Sequence, residues 1–274
     1  MLAKSVIKKL DDNIPKLALL IGIGYTNTNL EISDPYNDLQ GFITYLINIG
    51  FQNDSIIILT DSIAFDNSAM PTHVNIITYM DDLVKFSEKN KNAHIVFYYT
   101  GHGTRFEDKN KIKEAIVPVN FHNAHCINGE IIKKVLIDRL DETSTIFCMI
   151  DCCYSGNIIN LKNKYIGQNR YLNNKFDTSK CKAFSIGSSK KNQISLKYLI
   201  ELGNKNRGKK SLMTWAFCDM YRTNSALYSL IVNMQLFLNG RFKDAQNIQL
   251  LSNQDIDTKT ICIPELVDIK NDFV

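Results

Sequence analysis

Short, nearly continuous apolar runs alternate with amphipathic stretches along the chain, and the alternation has a βαβ rhythm. "KLALLIGI" (16–23), "DSIIILTD" (54–61), "AHIVFYYT" (93–100), "STIFCMID" (144–151), "CKAFSIG" (181–187) and "NIQLLSN" (247–253) read as strands. Between them, "YNDLQGFITYLINIG" (36–50) reads as a helix closed by Gly50. A second helix opens at Pro71-Thr72 and runs to about Phe86, with Val74, Ile76, Ile77, Met80, Leu83 and Val84 near helical spacing. "GEIIKKVLIDRL" (129–140), "SLMTWAFCDMY" (211–221) and "SALYSLIVNMQLFLNG" (225–240) complete the helices. "EAIVPV" (114–119) is extended, but Pro118 keeps it out of a central ladder.

Strands this rich in β-branched and aromatic residues suit a sheet covered on both faces. The expectation is a single α/β domain over 1–274, built on a central, mostly parallel six-stranded sheet with helices on both faces. Residues 1–15 precede the first strand as an N-terminal extension.

Charge changes this picture in one place. The 274-residue chain carries a net +4, yet thirteen Lys and Arg within 161–210 face only Asp177 and Glu201, a local balance of +11. The segment reads as a basic, flexible loop. A nucleic-acid patch is the sharper alternative, disfavoured because aromatic residues are sparsely interleaved there (Tyr165, Tyr171, Phe176, Phe184, Tyr198). The seven cysteines form an odd set without paired spacing, which favours free thiols over a disulfide framework. No apolar run approaches the ~20 residues of a membrane span, and "MLAKSVIKKLDDN" lacks a signal-peptide core. A cytoplasmic protein without a membrane partner is expected.

In an open parallel sheet, functional groups gather beyond the carboxyl ends of the strands. Two of the strands end in reactive chemistry. "HIVFYYT" runs into "GHG", placing His102 between two glycines, and "TIFCMI" runs into "DCCYSG". The 51-residue separation leaves room for one crossover, so both ends can lie side by side. A thiol is a weak nucleophile at its free pKa and needs a base, which His102 can supply. The Gly103 amide could point at a developing oxyanion. The alternative is a turn histidine beside two small core cysteines.

"YYTGHGTRFED" and "FCMIDCCYSGN" resemble the His and Cys boxes of the metacaspases, the caspase-like peptidases found outside animals. "LALLIGIGY", "YNDLQGF", "IIILTD" and "SLMTWAF" extend the resemblance collinearly over about residues 16–220. It implies a caspase-hemoglobinase-like fold and a cysteine endopeptidase. The family's box has an aspartate, one small residue and then the nucleophile, so Cys153 matches the nucleophile and Cys152 the spacer. Strand alternation points the same way, since only one of the two can face His102. Cys153 also lies nearer the Ser155-Gly156 turn. Its own amide would join that of Gly103 in the oxyanion hole.

The resemblance further implies cleavage after Arg or Lys, with Asp38, Asp151 and Thr100 at the family's pocket positions. Read alone, Asp38 is a first-turn helix aspartate and Asp151 a turn former. A pocket cysteine common in the family is replaced near Pro35, Thr100 stands for a serine, and Tyr154 stands for a histidine. Many metacaspases use calcium through an acidic loop after the His box. Here that loop is "TRFEDKNKIKEAIVP", lysine-rich with only Glu107, Asp108 and Glu114, and Asn160 stands where an aspartate is expected. Calcium dependence is therefore expected to be weak or absent, with no cofactor required and no metal site. "HNAHC" (122–126) has no partner cluster and reads as a polar loop. A phosphatase loop fails because Ile159 stands where its arginine would be.

These readings combine into a monomeric cysteine endopeptidase acting on peptides and proteins through Cys153 and His102. Self-cleavage is expected in 161–210, with Lys205, Arg207, Lys209 and Lys210 as candidate positions. The rival is a catalytically silent caspase-like protein acting by interaction.

Overall fold

The computed structural model describes residues 11, 13–32, 35–63, 65, 68–166, 169–187, 197–202, 206–221, 227–241 and 247–256. In chain order the elements are β1 (Lys16–Gly22), α1 (Pro35–Asn48), β2 (Ile56–Thr60), α2 (His73–Lys89), β3 (His94–Thr100), β4 (Gly103–Asp108), β5 (Lys111–Ile116), β6 (Ile127–Asn128), α3 (Gly129–Val135) and β7 (Thr145–Asp151). There follow β8 (Asn163–Ile166), β9 (Asn169–Leu172), β10 (Lys182–Gly187), β11 (Lys197–Leu202), β12 (Asn206–Ser211), α4 (Leu212–Met220), α5 (Leu227–Arg241) and β13 (Gln249–Ser252).

The main sheet has the order β2-β1-β3-β7-β10-β13-β8-β9. The first five strands pair in parallel, and β13, β8 and β9 continue antiparallel. The six strands expected from the apolar runs form its body. The additional pair, β8 and β9, comes from the first part of the basic segment. Its outer strand is exposed throughout, so it carries no continuous apolar run to announce it.

Of the rest of the described segment, 182–187, 197–202 and 206–210 are paired too, while 173–181 connects β9 to β10 without a ladder. β10 is a buried sheet strand, and β11 forms a two-stranded antiparallel ladder with β12. β4, β5 and β6 make a separate three-stranded sheet.

Helices cover both faces because alternate strand side chains point opposite ways. Ile146, Cys148, Ile150 and Cys152 face a core shared with Ile76, Met80, Leu83 and Val84 of α2 and Ile132 of α3. Phe147 and Met149 face the opposite core with Leu39 and Phe42 of α1 and Phe217 of α4. Helix starts follow local capping rules. Thr72 accepts from the Asn75 amide at 3.2 Å, and Asn128 accepts from the Ile131 amide at 3.0 Å. α3 ends at Val135, short of the expected 140, and the chain continues as a 3₁₀ turn over Ile137–Arg139. Leu136, Ile137 and Leu140 stay buried through that change, which preserves the apolar pattern without the α-helix.

Candidate active site

β3 and β7 are neighbours, and their parallel register places Thr100 opposite Asp151. His102 and Cys153 each lie two residues beyond that pair, so the 51-residue spacing equals the register offset. Both leave the sheet at the same carboxyl edge.

Cys152 continues the alternation of β7 and is 1% exposed, packed in the core on the α2 and α3 side. Cys153 is half-buried, and its thiol is free. Tyr154 then adopts a left-handed backbone (φ 60°), which turns the chain into the short 3₁₀ segment Ser155–Asn157. The Arg105 guanidinium lies over the Tyr154 ring, 4.8 Å from its centroid.

Gly103 joins the two boxes. A Cβ at this position would stand 2.0 Å from the Cys153 carbonyl oxygen and 2.6 Å from Cys152 Sγ. Only glycine lets the chain after the histidine lie against the chain that carries the cysteines.

The imidazole of His102 is half-buried, and its Nε2 lies 2.8 Å from the Leu30 carbonyl oxygen. A carbonyl can only accept, so Nε2 carries the proton and Nδ1 is the basic nitrogen of the neutral ring. The Tyr25 ring packs against the imidazole at 4.8 Å between centroids. Neither Leu30 nor Tyr25 was expected at the site. "GIGY" ends the first strand, which could have pointed to Tyr25, but a backbone carbonyl leaves no mark in side-chain chemistry.

A second group of polar residues lies on the α1 and α4 side of the same edge. Asp38 and Asp151 are each 1% exposed. Asp38 accepts from the Ser211 amide at 2.9 Å and from the Thr100 hydroxyl at 3.3 Å. Asp151 accepts from the Ser211 hydroxyl, from the Thr214 amide at 3.1 Å and from the Thr214 hydroxyl at 2.6 Å. Ser211 thus binds one carboxylate through its backbone and the other through its side chain. The structure brings Asp38, Asp151 and Thr100 together, and adds Ser211 and Thr214 from the start of α4.

The other expected positions are dispersed. Arg207, Lys209 and Lys210 belong to β12, opposite Glu201, Leu199 and Tyr198 of β11, while Lys205 lies outside the described residues. The stretch in which the family carries its calcium loop is the β4–β5 hairpin, where Glu107 and Asp108 are exposed and Glu114 is buried. Asn160 belongs to a network of amides, accepting at Oδ1 from Asn157 at 3.3 Å and from Asn173 at 3.4 Å. Among the described residues no three His, Cys, Asp or Glu side chains converge as metal ligands. The six cysteines among them are all free. No helix among them is long and apolar enough to cross a membrane.

A family model described as "Metacaspase, peptidase C14 domain" matches residues 16–162, just over half of the chain. Metacaspase-2 of Trypanosoma brucei brucei is 34% identical over 154 residues, covering 54% of this chain and 44% of the relative. Metacaspase-1 of Candida albicans is 30% identical over 160 residues, covering 55% and 35%. The match thus spans less than half the length of these relatives. Among solved structures, protein GSU0716 from Geobacter sulfurreducens shares the fold with a TM-score of 0.64 at 12% identity, covering 93% of this chain and 100% of that one. Taken with the matched strand ends, the family model is decisive: the chain belongs to the metacaspases.

Proposed function

We propose that this chain is a cysteine endopeptidase that hydrolyses peptide bonds after Arg or Lys. The observation that carries the reading is the register of β3 and β7, which sets the half-buried Cys153 and His102 at one sheet edge beside two buried carboxylates. Nδ1 of His102 takes the Cys153 proton as the sulfur attacks the scissile carbonyl. The Gly103 and Cys153 amides donate to the oxyanion that forms. Collapse of this intermediate breaks the C–N bond, and His102 returns the proton to the leaving amine. A water, deprotonated by His102, then cleaves the thioester and restores the thiol. The burial of Cys152 supports Cys153 as the nucleophile.

Asp38 and Asp151 would receive the cationic side chain before the cleaved bond. The hydroxyls of Thr100, Ser211 and Thr214 and the amides of Ser211 and Thr214 hold the two carboxylates in place, so a guanidinium meets preformed acceptors. An aspartate at the same substrate position would bring like charge into a buried site.

The reading extends to a cytoplasmic monomer that needs no calcium and cuts itself within 161–210. Cutting at Arg207, Lys209 or Lys210 requires the β11–β12 ladder to open first, because a scissile segment must lie extended in the site.

The test compares peptides ending in Arg, Lys or Asp, with and without calcium, for wild type and Cys153→Ala. Turnover of the Arg and Lys peptides alone, unchanged by chelation and absent in Cys153→Ala, is expected. Turnover of none would favour a silent, interaction-only protein. Self-cleavage is read from the mass of the purified chain, which should be cut in wild type and intact in Cys153→Ala.

A further inference from the structure

We propose that Tyr25 is the positioning residue of the His102 base: its phenol and that of Tyr99 clamp the histidine backbone, while the loop it opens clamps the imidazole. The inference rests on the cysteine–histidine reading above and deepens it.

Four contacts define the clamp. The Tyr25 hydroxyl donates to the Val117 carbonyl at 2.6 Å, accepts from the His102 amide at 3.0 Å and lies 3.1 Å from the Tyr99 hydroxyl. The Tyr99 hydroxyl donates to the His102 carbonyl at 2.6 Å. Both backbone polar groups of the histidine therefore end on a phenol. Gly101 leaves room for this, since a Cβ there would stand 2.8 Å from Tyr99 Oη and 3.2 Å from Tyr25 Oη. Burial pushes both phenols well above their ordinary pKa, so they remain protonated hydrogen-bonding groups across the working pH range.

The same loop reaches the ring. Tyr25 packs on one side of the imidazole and Leu30, five residues on, accepts from its Nε2. The loop itself is tied down. Asp61 beyond β2 accepts from the Gly24 amide at 2.8 Å and the Thr26 amide at 3.0 Å. The Thr28 hydroxyl donates to the Tyr25 carbonyl at 2.7 Å, and the Ile32 amide closes on Gly24.

Tyr25 adopts φ 53°, a left-handed backbone rare for a bulky side chain. Such a conformation persists where surrounding contacts over-determine it, and it concentrates at functional sites. A tyrosine present only to fill the core would need neither the hydroxyl nor this backbone.

Tyr25→Phe keeps the ring and removes three of the four contacts, those that its hydroxyl makes. Two readouts separate positioning from stability: steady-state kinetics on an Arg peptide, and the pH profile of Cys153 alkylation by iodoacetamide, which needs no substrate. The expected result is a kcat lowered about 10- to 100-fold with KM within about twofold, as for a slightly misplaced catalytic group. The alkylation profile should lose the part that depends on His102, defined in wild type by comparison with His102→Ala. Asp61→Asn, with the phenol intact and only the loop's anchor weakened, should shift both readouts in the same direction by less, and serves if Tyr25→Phe does not fold. Wild-type kcat and an unchanged profile in a folded Tyr25→Phe would overturn the inference while leaving the dyad standing. A wild-type Cys153 that alkylates as an isolated thiol would overturn the dyad and the inference together.

Discussion

At the scale of single residues, Gly103 carries more of the site than its size suggests. It closes the space between the two boxes, and the Cys153 carbonyl lies where its Cβ would be. Gly103→Ala must push the boxes apart by more than an ångström to reach ordinary contact, and a displacement of even about 1 Å costs about 100-fold in rate. We expect that loss in kcat/KM on an Arg peptide, with the thermal midpoint lowered as well; full activity would show the contact to be unimportant.

His94, at the opposite end of β3, supplies a pH prediction. Burial, with Lys16 and Lys182 nearby, lowers its pKa to about 4 from an ordinary 6.5. The folded chain therefore holds the ring neutral where the unfolded chain takes up a proton. That difference leaves stability complete above pH 6.5 and removes it progressively as the pH falls from 6.5 towards 4. By pH 5 the loss is about 2 kcal/mol. Urea unfolding at pH 7.5 and 5 should show it in wild type and show about that much less in His94→Gln. Equal pH dependence in both would contradict the assignment.

At the scale of elements, α4 joins helix capping to the proposed cation pocket. Its N-cap Ser211 makes no side-chain cap, because the hydroxyl is turned to Asp151 instead, and Thr214 in the first turn binds the same carboxylate. Thr214→Val removes one hydroxyl from Asp151 and the partner of the Tyr98 hydroxyl. We expect about 1–3 kcal/mol of lost stability and a KM for Arg peptides raised about tenfold, with kcat changed less. An unchanged KM would separate Asp151 from substrate binding.

The elements also show what could be read in advance. Buried parallel strands need continuous apolar runs, and all six such runs became strands of the sheet. The matched strand ends were legible because chemistry stood at both carboxyl termini. The β8–β9 hairpin was not, because Ile166 and Leu172 are 57% and 66% exposed and polar residues interrupt any apolar run around them. The end of α3 is not legible in the apolar pattern, because Leu136, Ile137 and Leu140 are buried although the backbone there has left the α-helix. The Leu30 carbonyl and the Ser211 bridge lay beyond reach, since each depends on chain segments far apart in sequence meeting at one edge.

At the scale of the whole molecule, the sheet separates two cores, and the site stands where both reach the carboxyl edge. The α1 and α4 side is aromatic. Phe217 lies 5.8 Å from Phe42 and from Phe147, 4.9 Å from Tyr45 and 6.5 Å from Tyr221, centroid to centroid. Phe217→Ala should cost about 3–5 kcal/mol in urea unfolding. A cost below 1 kcal/mol would show that this core can collapse around the gap. The same packing supports the floor of the proposed pocket, because Phe217 and Thr214 share one helix.

The proposed chemistry requires that Cys153, and not Cys152, attack a carbonyl whose side chain is cationic. The most direct measurement is the mass of the intact chain and of its cysteine-bearing peptide after reaction with a peptidyl ketone inactivator ending in Arg, beside the same compound ending in Asp. One adduct is expected from the Arg compound, localised by fragmentation to Cys153, and none from the Asp compound under the same conditions. An adduct on Cys152, or faster labelling by the Asp compound, would contradict it.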